Sequence, residues 1–228
     1  MTPEKNLARS TIPVPVWDLP VRLFHWTLVA LLLVSWWTGE EGGNAMIYHL
    51  WSGYGILTLV IFRLLWGLAG SPYARFRQFL RGPRAVADYA LGLLKRKPSV
   101  WVGHNPLGGW VIMIMLLALL VQAMTGLFAN DDIFIEGPLY PWVSKSTSDA
   151  LTTLHKANFN LLLALAALHV AAALFYLLVK RENLITPMIT GWKWLPVETA
   201  GQPSGFASPW LAVLLITLAG FGVYWLVA

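Results

Sequence analysis

Apolar positions along the 228-residue chain gather into five runs, near 20–38, 48–69, 109–129, 152–179 and 208–227, and most of the charge lies between them. At about 1.5 Å of rise per residue, each run is long enough for one helical crossing of a hydrocarbon core about 30 Å thick. The pattern predicts five transmembrane helices. The first run lies where a secretory signal would, but it is long for an h-region, no A-x-A site follows it, and it contains His25, Trp36 and Trp37. It is expected to be retained.

Composition agrees with the pattern. With 57% hydrophobic and 12% charged residues and a mean hydropathy of +0.61, the chain falls in the membrane class rather than the soluble globular one. It contains no cysteine, which removes disulfides, thiolate metal sites, iron–sulfur clusters and covalently attached haem. Any haem here is held non-covalently.

Charge orients the runs. The 71–107 connection holds Arg75, Arg77, Arg81, Arg84, Lys95, Arg96 and Lys97 against Asp88, whereas the 39–47 loop has Glu40 and Glu41 and no base. The positive-inside rule then places the N-terminus and the basic connection in the cytoplasm. The 130–150 loop, with Asp131, Asp132, Glu136 and Asp149 against Lys145, falls outside, and Lys180, Arg181 and Lys193 return to the inner side. The high pI of about 9.6 reflects this topology, so no nucleic-acid partner is expected. Within the basic connection, GPRAVADYALGLLKRK starts a helix at Pro83 and is expected to lie on the inner headgroups.

The candidate chemistry is in the histidines. His155 and His169 stand fourteen positions apart, which on one helix puts them on a common face about 21 Å apart. His25 lies near the inner end of the first helix and His49 at the outer start of the second, giving one depth-matched pair at each side, His25 with His169 and His49 with His155. A lone membrane histidine also serves as a hydrogen bonder between helices. Two facing imidazoles can bind a metal axially, and a flat apolar haem suits a dry bundle better than a bare ion. Arg63, fourteen positions after His49, and Arg22, one turn before His25, lie at the inner depth, where haem propionates would answer their charge; Arg22 also reads as a snorkelling interfacial base. Lys156, beside His155, is the corresponding outer candidate. Gly39, Gly53, Gly55, Gly67 and Gly126 admit either a macrocycle or plain helix packing.

The segments VWDLPVRLFHW, HLWSGYGILTLVIFRLLWG, GHNPLGGW, QAMTGL and LHKANFNLLLALAALHVAAALFY resemble the bacterial cytochrome b561 family, in the branch shared with the b-type subunits of nickel–iron hydrogenases. The likeness runs from about Val16 to Lys193. It implies an all-α four-helix membrane bundle holding two haems b, with iron ligands at His25, His49, His155 and His169, passing electrons between a quinone pool and a redox partner. The run near 208–227 is an addition to that pattern, so residues 16–193 form the expected dihaem domain and 194–228 a C-terminal extension with a fifth helix. The addition leaves oligomeric state and partner open.

His104, in the GHNPLGGW motif, reads either as a cap or loop hydrogen bonder or, with Asn105, as part of an inner quinone site. Trp26 and Trp51 flank ligand positions, and Met113, Met115 and Met124 read as packing. Three function classes compete: a transmembrane electron carrier with a periplasmic partner such as a c-type cytochrome, a proton-coupled or metal transporter using the histidines, and an anchor subunit for a redox enzyme. Acids are missing from the helices, which weighs against the transporter, and four depth-matched histidines exceed what an anchor needs.

Overall fold

The computed structural model describes residues 11–93, 101–133, 135–200 and 205–228. Its nine α-helices among these residues are α1 (Leu19–Glu41), α2 (Met46–Ala69), α3 (Phe76–Phe79), α4 (Pro83–Leu93), α5 (Pro106–Gly126), α6 (Lys145–Leu178), α7 (Ile185–Thr190), α8 (Val197–Ala200) and α9 (Pro209–Val227). Five of them, α1, α2, α5, α6 and α9, are long and apolar enough to cross a membrane, one for each apolar run of the sequence.

The starts of three of these helices are set by local chemistry. Asp18 caps α1 by accepting from Val21 N at 2.8 Å, Asn105 caps α5 by accepting from Gly108 N at 2.7 Å, and Ser144 caps α6 by accepting from Thr147 N. Each satisfies a backbone donor that the first helical turn leaves without a partner. With its cap at Ser144, this 34-residue helix starts well before His155. Helix α4 begins at Pro83 as expected; Lys95, Arg96 and Lys97 lie outside the described residues.

Helix α2 is the centre of the bundle and the most buried of the five long helices, whereas α6 is the least buried. It packs on α1, α5 and α9, while α6 has its main backbone neighbour in α5. The α9 helix thus covers a face of α2, closing Ala212, Ala219 and Val223 into the core. Helix α6 meets α1 and α2 through side chains, namely Trp36 with Phe159 and the histidine pairs described below.

The alternating helices give the molecule two ends. Among the described residues, the basic end carries the start of α1, the 70–93 and 101–105 segments and residues 179–200 and 205–209; the acidic end carries residues 42–45, 127–133 and 135–144. A two-stranded antiparallel sheet, β1 (Thr11–Pro15) with β2 (Trp192–Pro196), closes the basic end. Two prolines in a five-residue strand hide it from sequence patterning, and both sit where pairing is with a single neighbour. Strand β2 crosses the 193/194 division expected between bundle and extension.

Candidate functional site

The sequence-predicted histidines meet in two pairs, one near each end. His25 of α1 and His169 of α6 have ring centres 6.3 Å apart, and His49 of α2 and His155 of α6 have ring centres 6.1 Å apart. A metal held at about 2 Å from one nitrogen of each ring imposes a separation of about 6 Å. Among the described residues no three His, Asp or Glu side chains converge, so the paired imidazoles are the ligating units available.

At the acidic end both rings are oriented by backbone. His49 Nδ1 lies 2.8 Å from Ser35 O, and His155 Nδ1 lies 2.9 Å from Gln122 O. A carbonyl only accepts, so Nδ1 carries the proton in each ring and Nε2 keeps the lone pair a metal needs. Glycines back both rings. A Cβ on Gly39 would stand 3.1 Å from His49 Nδ1, and one on Gly126 would stand 3.0 Å from His155 Cε1. The other three glycines divide differently: Gly55 receives Leu31, Gly67 receives Phe76, and Gly53 borders open space. Lys156 is exposed on α6 beside His155.

The basic end is built from charge. Arg63 is only 2% exposed; its Nη2 donates to Ala74 O at 3.1 Å, Phe76 lies under the guanidinium at 5.3 Å, and Nη1 is buried without a partner. Arg22 donates through Nη1 to Ile189 O at 2.5 Å, while its Nε is buried without a partner. His25 Nδ1 and His104 Nδ1 are likewise buried and unpartnered. Four such atoms around one histidine pair are an unmet demand for hydrogen-bonding oxygens, the chemistry that haem propionates offer to arginines. Among the described residues the carboxylate inside this cluster is Asp18, which accepts from Trp66 Nε1 at 2.9 Å as well as capping α1 and attracts Arg63. Sequence reasoning passed over it because it precedes the first apolar run.

The GHNPLGGW motif divides its work. Asn105 is a helix cap, and its Nδ2 donates to Tyr176 Oη at 3.1 Å. His104 packs between Trp17 and Phe79, with ring centres at 4.5 Å and 4.8 Å. Burial, then the charge of Arg63, pushes its pKa down to about 3, so the ring stays neutral and offers a hydrogen bond rather than a proton at neutral pH. Tyr176 Oη also bonds Tyr89 Oη at 2.5 Å, and both tyrosines line a cleft of about 360 Å³ with Lys180, Glu182 and Trp192. Of the flanking tryptophans, Trp26 meets the His25 ring edge-on at 4.8 Å, whereas Trp51 is exposed and packs on Tyr48.

The model describing the family "Prokaryotic cytochrome b561" matches residues 16–191. The chain is similar to the probable Ni/Fe-hydrogenase B-type cytochrome subunit of Rhizobium leguminosarum bv. viciae, at 27% identity over 82% of this chain and 91% of that protein. It is similar to the same subunit of Azotobacter vinelandii at 25% over 81% and 90%, and to the probable Ni/Fe-hydrogenase 1 B-type cytochrome subunit of Escherichia coli K12 at 22% over 78% and 89%. No solved structure matches the chain. The matched segment takes in four of the five long helices and both histidine pairs, and the chain belongs to the prokaryotic cytochrome b561 family, as a multi-pass membrane electron-transfer cytochrome of the b type.

Proposed function

We propose that the chain carries electrons across the bacterial inner membrane through two haems b, one ligated by His25 and His169 and the other by His49 and His155. The observation that carries this reading is the pair of ring separations, 6.3 Å and 6.1 Å, at opposite ends of a shared helix. Haem b supplies reversible one-electron exchange at iron. The chain's own residues do the rest. Backbone carbonyls of Ser35 and Gln122 hold the acidic-end imidazoles in the ligating tautomer; Arg22 and Arg63 receive propionates at the basic end, and Lys156 serves the acidic end. The two positions on α6 stand about 21 Å apart along its axis, which the width of two macrocycles reduces to a tunnelling distance.

The basic end faces the cytoplasm in this reading, and the acidic end faces a periplasmic redox partner, a c-type cytochrome or a redox enzyme. The relatives' names, which describe hydrogenase cytochrome subunits, favour an enzyme partner of the hydrogenase class. A quinone site is placed at the basic end beside His104 and Asn105, approached through the cleft at Tyr176, with the neutral His104 giving a hydrogen bond. His104→Ala should lower quinone-linked turnover while both haems remain; unchanged turnover moves the site elsewhere.

The ligand assignment is tested by haem content. Wild type should hold two haems per polypeptide, and His49→Leu and His155→Leu should each lose the same one. His25→Leu and His169→Leu should each lose the other. Loss of one common haem by His49→Leu and His169→Leu would refute the pairing.

A further inference from the structure

Gln122 touches both nitrogens of one imidazole. Its backbone oxygen takes the His155 Nδ1 proton at 2.9 Å, and its side-chain Nε2 lies 3.0 Å from His155 Nε2. The direction of that second bond is set by a neighbour. Asn158, one turn along α6 and 8% exposed, donates its amide hydrogens to Ala118 O at 2.9 Å and to Gln122 Oε1 at 2.8 Å. The Gln122 amide therefore presents its oxygen to Asn158 and its N–H to His155. With Nδ1 already the donor, His155 Nε2 is the acceptor, and its single lone pair is the one an iron would take.

One lone pair serves one partner at a time, so the Gln122 N–H and an iron are alternatives. We propose that Gln122 is a positioning residue that competes with iron for His155, making this axial bond the releasable one of the four. The proposal rests on the ligand assignment above. Were the His155–iron bond to open, the freed nitrogen would meet a donor already held in place by Asn158. The basic-end pair has no such competitor: His25 Nδ1 is buried without any partner, and among the described residues no side-chain amide is recorded on His169. The acidic-end haem then has one labile axial position, while the basic-end haem has two firm ones.

The experiment is carbon monoxide uptake by the reduced, purified, full-length protein, followed by the Soret spectrum. His49→Leu, which leaves the basic-end haem alone, assigns the signals. Wild type should take up carbon monoxide at the acidic-end haem in preference to the basic-end one. Gln122→Met, of similar length and without a donor, should retain two haems per chain and lower acidic-end uptake about fivefold, the effect of one net hydrogen bond, with the basic-end haem unchanged. Asn158→Leu should act in the same direction and less. Equal uptake by the two haems of wild type, or unchanged uptake in Gln122→Met, overturns the proposal. If His155→Leu leaves both haems in place with unaltered spectra, the ligand assignment itself has failed.

Discussion

The two histidine pairs are held by the same helix α6 and have nearly equal ring separations, yet their surroundings are opposites. At the acidic end the polar groups satisfy one another: His49 with Ser35, His155 with Gln122, and Gln122 with Asn158. At the basic end, by contrast, Arg22, Arg63, His25 and His104 each keep a buried nitrogen without a partner. One site is closed by its own hydrogen bonds and the other is charged and open to an anion. Similar ligand spacing therefore does not mean similar electrostatics, and the two haems of the proposed relay would sit in different fields.

The largest effect that separates the ends concerns folding. Asp18 accepts from Val21 N and from the buried Trp66 Nε1, so Asp18→Ala should destabilise the chain by about 3 kcal/mol, from a lost cap and an orphaned indole donor. Thermal unfolding in detergent measures this, and a loss below about 1 kcal/mol would show that the basic end does not depend on Asp18. Next comes the field on the haems. Arg63→Gln removes a buried positive charge, so the basic-end midpoint potential should fall, by about 60 mV for a tenfold change in the electron equilibrium. Arg63→Lys should fall less, and the acidic-end potential should not move. A redox titration that shows both potentials moving together would erase the distinction.

A smaller effect is acid sensitivity. His104 remains neutral in the fold down to about pH 3, whereas in the unfolded chain it titrates near 6.5. Between those values the unfolded state binds the extra proton, so stability present above pH 6.5 is lost as pH falls, by about 1.4 kcal/mol at pH 5.5. His104→Gln should flatten that slope in unfolding curves; an identical slope would assign the sensitivity to another group. The smallest effect lies on the acidic surface. Asp132 and Asp149 are already paired with Lys145 at 2.5 and 2.6 Å, and Asp131 accepts from Ile133 N and Ile135 N. Partner association at low salt should therefore be slowed more by reversing Glu40, Glu41 and Glu136 than by reversing the aspartates, and the difference should vanish at high salt.

The long-range order of this fold was legible, and beyond the histidines its side-chain pairing was not. Apolar run length locates all five long helices, and the fourteen-residue spacing of His155 and His169 anticipates the two histidine ring pairs, because each depends only on distance along one helix axis. Asp18 with Trp66 and Gln122 with Asn158 depend on how neighbouring helices are rotated about their axes, which no single run encodes. The glycines show the same boundary. Gly39 and Gly126 back histidines and Gly55 and Gly67 receive packing side chains, although all four look alike in the sequence. Strands β1 and β2 join segments at opposite ends of the chain, a pairing without a local signal.

That pairing also has a consequence in time. The first strand is synthesised before any of the membrane helices, and its partner only after α6 is complete. At about 5–20 residues per second, the ribosome leaves Thr11–Pro15 waiting on the order of ten seconds or longer for Trp192–Pro196. Over that interval the start of α1 is tethered only through its own helix, and Arg22 lacks the Ile189 carbonyl it later donates to. The acidic-end pair and its Gln122 network need nothing beyond residue 158, whereas the Arg22 contact waits for residue 189. The sheet locks the basic end only when four crossings have already been threaded, and α9 follows it to cover α2.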